Sequence, residues 1–282
     1  MNERVVKIGK PTPLLCITSE PQKIDSDQPA LIILNSGIMH HIGTCRLSVK
    51  IARAAANAGI LAIRMDFSGI GDSEHRTGAM NFTESAPKEV KEVMDFFEKT
   101  RGIKKFILYG LCSGADASYE TAKIDTRVVA MCQIDSYCYR DWRYYVRYYG
   151  PRIIDAKVWK KHITKFFKRN TNKVDLQEFE EFIELPSYVR EFPPKKEIET
   201  GLKSLLERDV YMYNIFTDGV DECLNSANQY RRNFRKLKFG DKLKVDYYED
   251  SSHIVSEPKY QKIFVEDIIE WALHVIARRG SA

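Results

Sequence analysis

Residues 105–119 read Lys-Phe-Ile-Leu-Tyr-Gly-Leu-Cys-Ser-Gly-Ala-Asp-Ala-Ser-Tyr, and this stretch decides the fold. Its first part is an apolar run typical of a buried strand, and its last part has the composition of a helix. Between them, residues 110–114 have the frame Gly-x-nucleophile-x-Gly of a sharp strand-to-helix turn, a nucleophile elbow. Such a turn holds its central residue in a strained conformation and exposes the side chain. The frame therefore predicts that Cys112 is a nucleophile.

The spacing of the glycines favours Cys112 over Ser113 as the central residue. Backbones approach closely two residues before and two residues after the nucleophile, where a large side chain would clash. Gly110 and Gly114 occupy these positions for Cys112, whereas Leu111 would occupy the first of them for Ser113. The plainer interpretation, a buried and inert cysteine, stays open at this point.

Length and composition fit one α/β domain with an insertion. The 282 residues are 44% hydrophobic and 29% charged, with a net charge of +5, which is ordinary for a globular protein. No apolar run approaches the roughly 20 residues that span a bilayer, and residues 1–4 do not open a signal peptide. We therefore expect a cytoplasmic protein with no membrane span. The six cysteines form no Cys-x-x-Cys pair, which favours reduced thiols and no metal site.

Strand and helix patterns alternate along most of the chain. Besides the elbow strand, apolar runs predict strands at residues 14–18, 31–34, 60–65, 128–134, 210–216 and 243–248. Helical spacing predicts helices at residues 47–58, 83–100, after the elbow, and 260–278. We expect the first two strands to be neighbours. The alternation predicts a mostly parallel sheet with functional loops at the carboxyl ends of its strands.

Residues 136–205 interrupt this alternation. We expect a helical lid or cap insertion here, with residues 1–135 and 206–282 forming the core. Residues 139–173 carry eleven Lys and Arg against two Asp, and residues 174–199 are acidic. The basic face is either a solvated helix surface or a docking surface for coenzyme A or an acidic carrier protein. No recognised motif accompanies the charge, so we do not expect nucleic acid as a partner.

A glycine-rich turn at residues 66–73 raises the question of a nucleotide cofactor. It lacks the third glycine of a dinucleotide site and the Lys-Ser/Thr of a P-loop. We therefore expect no cofactor.

An acid and a histidine follow later strands in the order that a catalytic triad with Cys112 would need. His253 follows the last strand, where it would hold the thiolate of Cys112 as an ion pair. A carboxylate on the other ring nitrogen would fix the tautomer. We favour Asp221, because a turn and then this acid follow the strand at 210–216; Asp218 and, more remotely, Asp135 stay open.

The oxyanion formed by attack on a carbonyl needs two backbone donors. We expect one to be the amide of Ser113 and the other to come from the loop after the strand at 31–34, either Gly37 or Ile38. The residues that we expect to line a substrate pocket are His40, Tyr137, Trp142 and Tyr145.

Over nearly its whole length the chain resembles the α/β-hydrolase superfamily. The likeness rests on the loop that starts Asn35-Ser36-Gly37, on the Asp-x-x-Gly-x-Gly-x-Ser turn at residues 66–73, on the elbow, and on the late acid and histidine. The turn and the Gly-Leu-Cys-x-Gly-Ala elbow particularly resemble exosortase-associated hydrolases, and dienelactone hydrolases share the elbow cysteine more loosely. The resemblance implies an α/β-hydrolase fold, with a mostly parallel central sheet and a helical lid insertion.

The departure from most members is cysteine in place of serine, which points away from ordinary esterase chemistry. Exchange between a thioester and a Cys112 thioester is nearly isoenergetic, and a thiolate is a strong nucleophile. We expect a hydrolase of acyl thioesters or activated esters that works through a covalent Cys112 acyl-enzyme. The alternatives are an acyltransferase to an amine or alcohol, and a non-catalytic ligand-binding homologue.

Overall fold

A computed structural model describes residues 1–76, 81–154, 190, 192–220 and 223–280. Its centre is a sheet with strand order β1-β2-β4-β3-β5-β6-β7-β8. The strands are β1 (Asn2–Ile8), β2 (Leu14–Glu20), β3 (Ala30–Ile33), β4 (Ala62–Met65), β5 (Phe106–Leu111), β6 (Val128–Ile134), β7 (Tyr211–Phe216) and β8 (Leu243–Tyr247). Strands β3 to β8 are parallel to one another, whereas β1 pairs antiparallel with β2 and β2 pairs antiparallel with β4 at one edge of the sheet. The predicted fold class, a mostly parallel α/β sheet, is confirmed.

Two features of the sheet edge differ from the sequence-based expectation. Strand β1 was missed because it lies at the edge and exposes most of its side chains, so it has no apolar run. The expectation that β2 and β3 are neighbours was wrong, because β4 lies between them and pairs with both. The crossover through the helix at Leu47–Asn57 returns the chain to a position beside β3, and β2 then adds to the far side of β4.

Helices cover both faces of the sheet. They are α1 (Leu47–Asn57), α2 (Phe82–Arg101), α3 (Ser113–Ile124), α4 (Trp142–Ile154), α5 (Lys195–Glu207), α6 (Ala227–Asn233) and α7 (Pro258–Gly280). One face is packed by α1 and α7, whose buried residues include Ile51 and Phe264. The other is packed by α2, α3, α5 and α6, with Phe97 and Tyr119 among the buried side chains. Strand β5 is buried along its whole length, so the elbow starts from a rigid support.

The region predicted as an insertion is described only in part, since residues 155–189 lie outside the described residues. Helix α4 follows β6 directly. Helix α5 buries Ile198, Leu202 and Leu205 in the hydrophobic core, as a helix flanking the sheet does. The division into a core and an insertion at residues 136–205 stays a prediction. In the part of the chain that the structure describes, no helix combines the length and apolar character needed to cross a membrane.

Candidate active site

The turn between β5 and α3 places Cys112 in a strained conformation. Its φ of 54° and ψ of −116° lie outside the regions that a residue with a Cβ ordinarily adopts. A Cβ on Gly110 would overlap the backbone of Gly114, and a Cβ on Gly114 would overlap the carbonyl of Asn35. These overlaps are the steric reason for the two glycines. Cys112 is half-buried at the N-terminus of α3, where the helix dipole favours an anion.

Ser113 does not occupy the strained position. Its side chain is 2% exposed, and its Oγ accepts the backbone N–H of Gly37 at 2.6 Å. This hydrogen bond ties the first turn of α3 to the loop after β3. The hydroxyl of Ser113 therefore holds the loop in place and is buried.

His253 lies in the loop after β8 and pairs with Asp135 at the end of β6. The Nδ1 of His253 lies 2.6 Å from Oδ2 of Asp135, a carboxylate with no exposed side-chain surface. With Nδ1 engaged by the carboxylate, Nε2 is the nitrogen left for the hydrogen bond to Cys112. The structure brings Cys112, His253 and Asp135 together in the chain order nucleophile, acid, histidine.

Among the described residues, the carboxylate that pairs with His253 is Asp135, which the sequence had left as the more remote alternative. The preference for Asp221 stays a prediction. Asp221 lies outside the described residues. Asp218 is exposed in a short 3-10 turn, and its backbone N–H donates to the carbonyl of Ser251. The physical reason is sheet order. Because β6 lies directly beside β5, the residue that ends β6 emerges next to the elbow.

Two residues after β7 hold this pair, and sequence reasoning missed both. Thr217 donates its backbone N–H to Oδ1 of Asp135 at 2.8 Å and its hydroxyl to Oδ2 at 2.7 Å. Gly219 leaves room for the imidazole, since a Cβ there would overlap the ring of His253. A Thr-x-Gly segment directly after a strand was the available signal.

The electrostatics favour a charged His253. Hydrogen bonding to Asp135 and then to Cys112 raises the pKa of His253 to about 10, although burial opposes the shift. The ring is therefore an imidazolium at neutral pH. A cation beside the half-buried sulfur at a helix N-terminus is the setting in which thiolates are stabilised.

The loop after β3 supplies the candidate oxyanion donors. The backbone N–H of Ser113 begins α3 and has no acceptor among the described residues. Gly37 donates its N–H to the Ser113 hydroxyl, while the N–H of Ile38 has no acceptor in the same part of the chain, and its side chain is 85% exposed. Of the two loop candidates, Ile38 therefore has the available donor.

A buried carboxylate fixes this loop. Asp66, at the end of β4, accepts hydrogen bonds from the side chain of Asn35 at 2.9 Å, from the backbone N–H and ring Nδ1 of His41 at 2.5 and 2.7 Å, and from the N–H of Asp72 at 3.0 Å. Burial raises the pKa of Asp66, but the hydrogen bonds from His41 and Asn35 outweigh it, so the net shift is downward. The Asp66 carboxylate thus connects the loop after β3 to the glycine-rich turn by hydrogen bonds.

The same residues form a group with metal-ligating atoms. Among the described residues, His41, Asp66 and Asp72 form such a group, because one potential ligand atom of each lies within 4.8 Å of the others. Both oxygens of Asp66 already accept hydrogen bonds. The donor set is therefore satisfied as a structural clamp, and we assign it no metal.

The expected substrate-binding residues fall in different settings. Tyr137 is buried beside the elbow helix and contacts the ring of Tyr119 edge-on. His40 is exposed on the loop after β3. Trp142 and Tyr145 are 68% and 44% exposed on α4. Of the four, Tyr137 is the one whose side chain is buried.

Comparison with known proteins agrees with this architecture. No protein-family model matches the sequence, and no curated protein matches it. Among solved structures, Est1E from Butyrivibrio proteoclasticus superposes with a TM-score of 0.57 at 13% identity, covering 97% of this chain and 99% of the other. A proline iminopeptidase from Mycobacterium smegmatis gives 0.56 at 13%, covering 99% and 100%. XC6422 from Xanthomonas campestris, described as an α/β serine hydrolase without lid, gives 0.53 at 15%, covering 98% and 94%.

At these identities the likeness concerns the fold. It extends over nearly the full length of each chain. The chain has the α/β-hydrolase fold, with Cys112 at the strained turn between β5 and α3.

Proposed function

We propose that the protein is an acyl-group hydrolase whose nucleophile is Cys112, acting on thioesters or activated esters. The observation that carries the proposal is Cys112 at the strained elbow position, beside a histidine that Asp135 holds by Nδ1 at 2.6 Å. A sulfur nucleophile suits a thioester substrate, because the acyl group moves from one sulfur to another at little cost in free energy.

The first half-reaction forms the acyl-enzyme. The Cys112 thiolate attacks the carbonyl carbon, and the carbonyl π electrons move to oxygen. The backbone N–H groups of Ser113 and Ile38 stabilise this oxyanion. The carbon bond to the leaving group then breaks, and the imidazolium of His253 gives its Nε2 proton to the departing thiolate or alkoxide.

The second half-reaction releases the acid. Neutral His253 accepts a proton from water as the water attacks the Cys112 thioester. The carbon–sulfur bond breaks, and the thiolate–imidazolium pair is restored. Asp135 keeps the ring in the orientation and tautomer that both proton transfers need.

The substrate would arrive on coenzyme A or on an acidic carrier protein. Support comes from α4, where Arg143 and Arg147 are exposed beside the aromatic side chains of Trp142 and Tyr145. An exposed basic surface attracts phosphates or acidic side chains.

Release of free thiol from a butanoyl thioester of N-acetylcysteamine tests the proposal. We expect release by wild type and by Cys45→Ala, which removes an exposed cysteine, and only background release by Cys112→Ala. Thiol release by Cys112→Ala at the wild-type rate would overturn the assignment. Product analysis with an added amine or alcohol separates the hydrolase from an acyltransferase, in which the acceptor takes the acyl group in place of water.

A further inference from the structure

A buried ion pair lies on the elbow helix close to Cys112. The guanidinium of Arg190 donates through Nε to Oδ2 of Asp116 and through Nη2 to Oδ1, both at 2.7 Å. The two side chains are 15% and 8% exposed. A bidentate pair of this kind fixes the plane and position of the guanidinium.

The pair is held beside the nucleophile by the helix itself. The backbone N–H of Asp116 donates to the carbonyl of Cys112 at 3.1 Å, so the two residues lie one helical turn apart at the start of α3. The charge on Arg190 is close enough to Cys112 for the two groups to interact electrostatically.

Aromatic rings complete the setting of Arg190. Its guanidinium lies 5.5 Å from the ring centroid of Tyr137 and 4.9 Å from that of Phe192. Burial lowers the pKa of Arg190, but its hydrogen bonds to Asp116 raise it by more, so the group stays a cation throughout the working pH range. Arg190 is therefore a fixed positive charge in an aromatic wall.

One edge of the guanidinium remains for a ligand. Asp116 occupies Nε and Nη2, and Nη1 has no acceptor among residues 1–76, 81–154, 192–220 and 223–280. Nη1 is also not among the fully buried atoms that lack a partner. Among the described residues, Nη1 is therefore the edge of the guanidinium that Asp116 leaves unoccupied.

We propose that Arg190 is the carboxylate-binding residue of the acyl pocket, so that the preferred substrates are acyl groups carrying a terminal carboxylate. A carboxylate bound to Nη1 lies nearer to the guanidinium than to Asp116, so attraction exceeds repulsion. Asp116 acts as a positioning residue that holds the guanidinium. The inference rests on the proposed function only in taking Cys112 as the reactive group.

The plainer role for the pair is to anchor residues 190–193 onto α3, and substrate charge separates the two roles. An anchor affects neutral and anionic reagents alike. A carboxylate-binding residue affects the anionic reagent alone.

Alkylation of Cys112 tests the inference without requiring turnover. Rates with iodoacetate and with iodoacetamide are measured by peptide mass mapping in wild type, Arg190→Met, Arg190→Lys and Arg278→Met, the last removing an exposed arginine on α7. We expect Arg190→Met to lower the iodoacetate-to-iodoacetamide rate ratio about tenfold or more, the effect of losing a charged hydrogen bond. Arg190→Lys keeps part of the ratio, and Arg278→Met leaves it unchanged. An unchanged ratio in Arg190→Met would overturn the inference.

A second test uses wild-type protein with two thioester substrates, so it does not depend on a variant that folds. Succinyl and butanoyl thioesters of N-acetylcysteamine have the same leaving group and chain length and differ in the carboxylate. We expect kcat/KM for the succinyl substrate to be at least about tenfold higher. Equal values would refute the carboxylate preference and leave the proposed function standing. Acylation by neither thioester would refute the proposed function alone, provided that Arg190→Met still lowers the iodoacetate-to-iodoacetamide rate ratio.

Discussion

Replacing Asp135 by Asn tests the assignment of the triad acid. The carboxylate accepts hydrogen bonds from the Thr217 N–H at 2.8 Å and its hydroxyl at 2.7 Å, and it pairs with Nδ1 of His253 at 2.6 Å. An amide is nearly the same size and can still accept from Thr217. It removes the charged acceptor whose hydrogen bond is the main cause of the raised pKa of His253.

The size of the effect follows from that pKa. With a pKa of about 10, His253 is about 99% protonated at pH 8, whereas at the ordinary value of about 6.5 the protonated fraction is about 3%. Loss of the proton donor therefore costs about 30-fold in acylation at pH 8. Loss of ring orientation adds to this, for a total decrease of about 10²- to 10⁴-fold.

The assay is the rate of the first turnover, followed as thiol release from pH 5 to 11. Wild type is expected to lose activity above about pH 10 as His253 deprotonates, and the descending limb of Asp135→Asn is expected to move toward pH 6.5. Asp218→Asn is the matched control, because Asp218 is an exposed carboxylate after the neighbouring strand, whereas the Nδ1 of His253 pairs with Asp135. The assignment would be refuted if Asp135→Asn kept the pH–rate profile of wild type while Asp218→Asn lost the descending limb near pH 10.

Further predictions concern the residues that hold the site. Gly219→Ala is expected to displace His253 and lower acylation about 10- to 100-fold, whereas Gly280→Ala, with open space around the Cβ, leaves the rate unchanged; an unaffected rate in Gly219→Ala would contradict the steric role. Asp66→Asn is expected to lower the free energy of unfolding by about 2–4 kcal/mol, because it removes a buried charge that accepts several hydrogen bonds. Urea unfolding measures this loss, and Asp72→Asn, which changes an exposed carboxylate, is the control. Because the pKa of His253 is raised on folding, its stabilising contribution is complete below about pH 6.5 and is lost as pH rises through about 10. The difference in Tm between wild type and His253→Gln should therefore shrink over that window, and a constant difference would contradict it.

The features that could be predicted from the sequence are those encoded locally. The glycines at residues 110 and 114 indicate the elbow, because their spacing reflects a backbone contact within the same turn. The apolar strands and amphipathic helices gave the fold class for the same reason. Cys112 and His253 follow from the elbow and from the order of the strands.

The acid could not be fixed in this way, because its position depends on which strands are neighbours. Asp135 ends a strand beside the elbow strand, and the sequence alone does not give that adjacency. Thr217 and Arg190 were missed for a related reason. Their partners, Asp135 and Asp116, are far away in the chain and meet them only in the folded structure.

The central claim is that the acyl group passes through the sulfur of Cys112. Mass mapping of peptides from enzyme quenched in acid during turnover of a butanoyl thioester tests it most directly. In wild type the peptide containing Cys112 is expected to carry a butanoyl group, and in Cys112→Ala no adduct is expected. An adduct on Ser113 instead, or one that persists in Cys112→Ala, would contradict it.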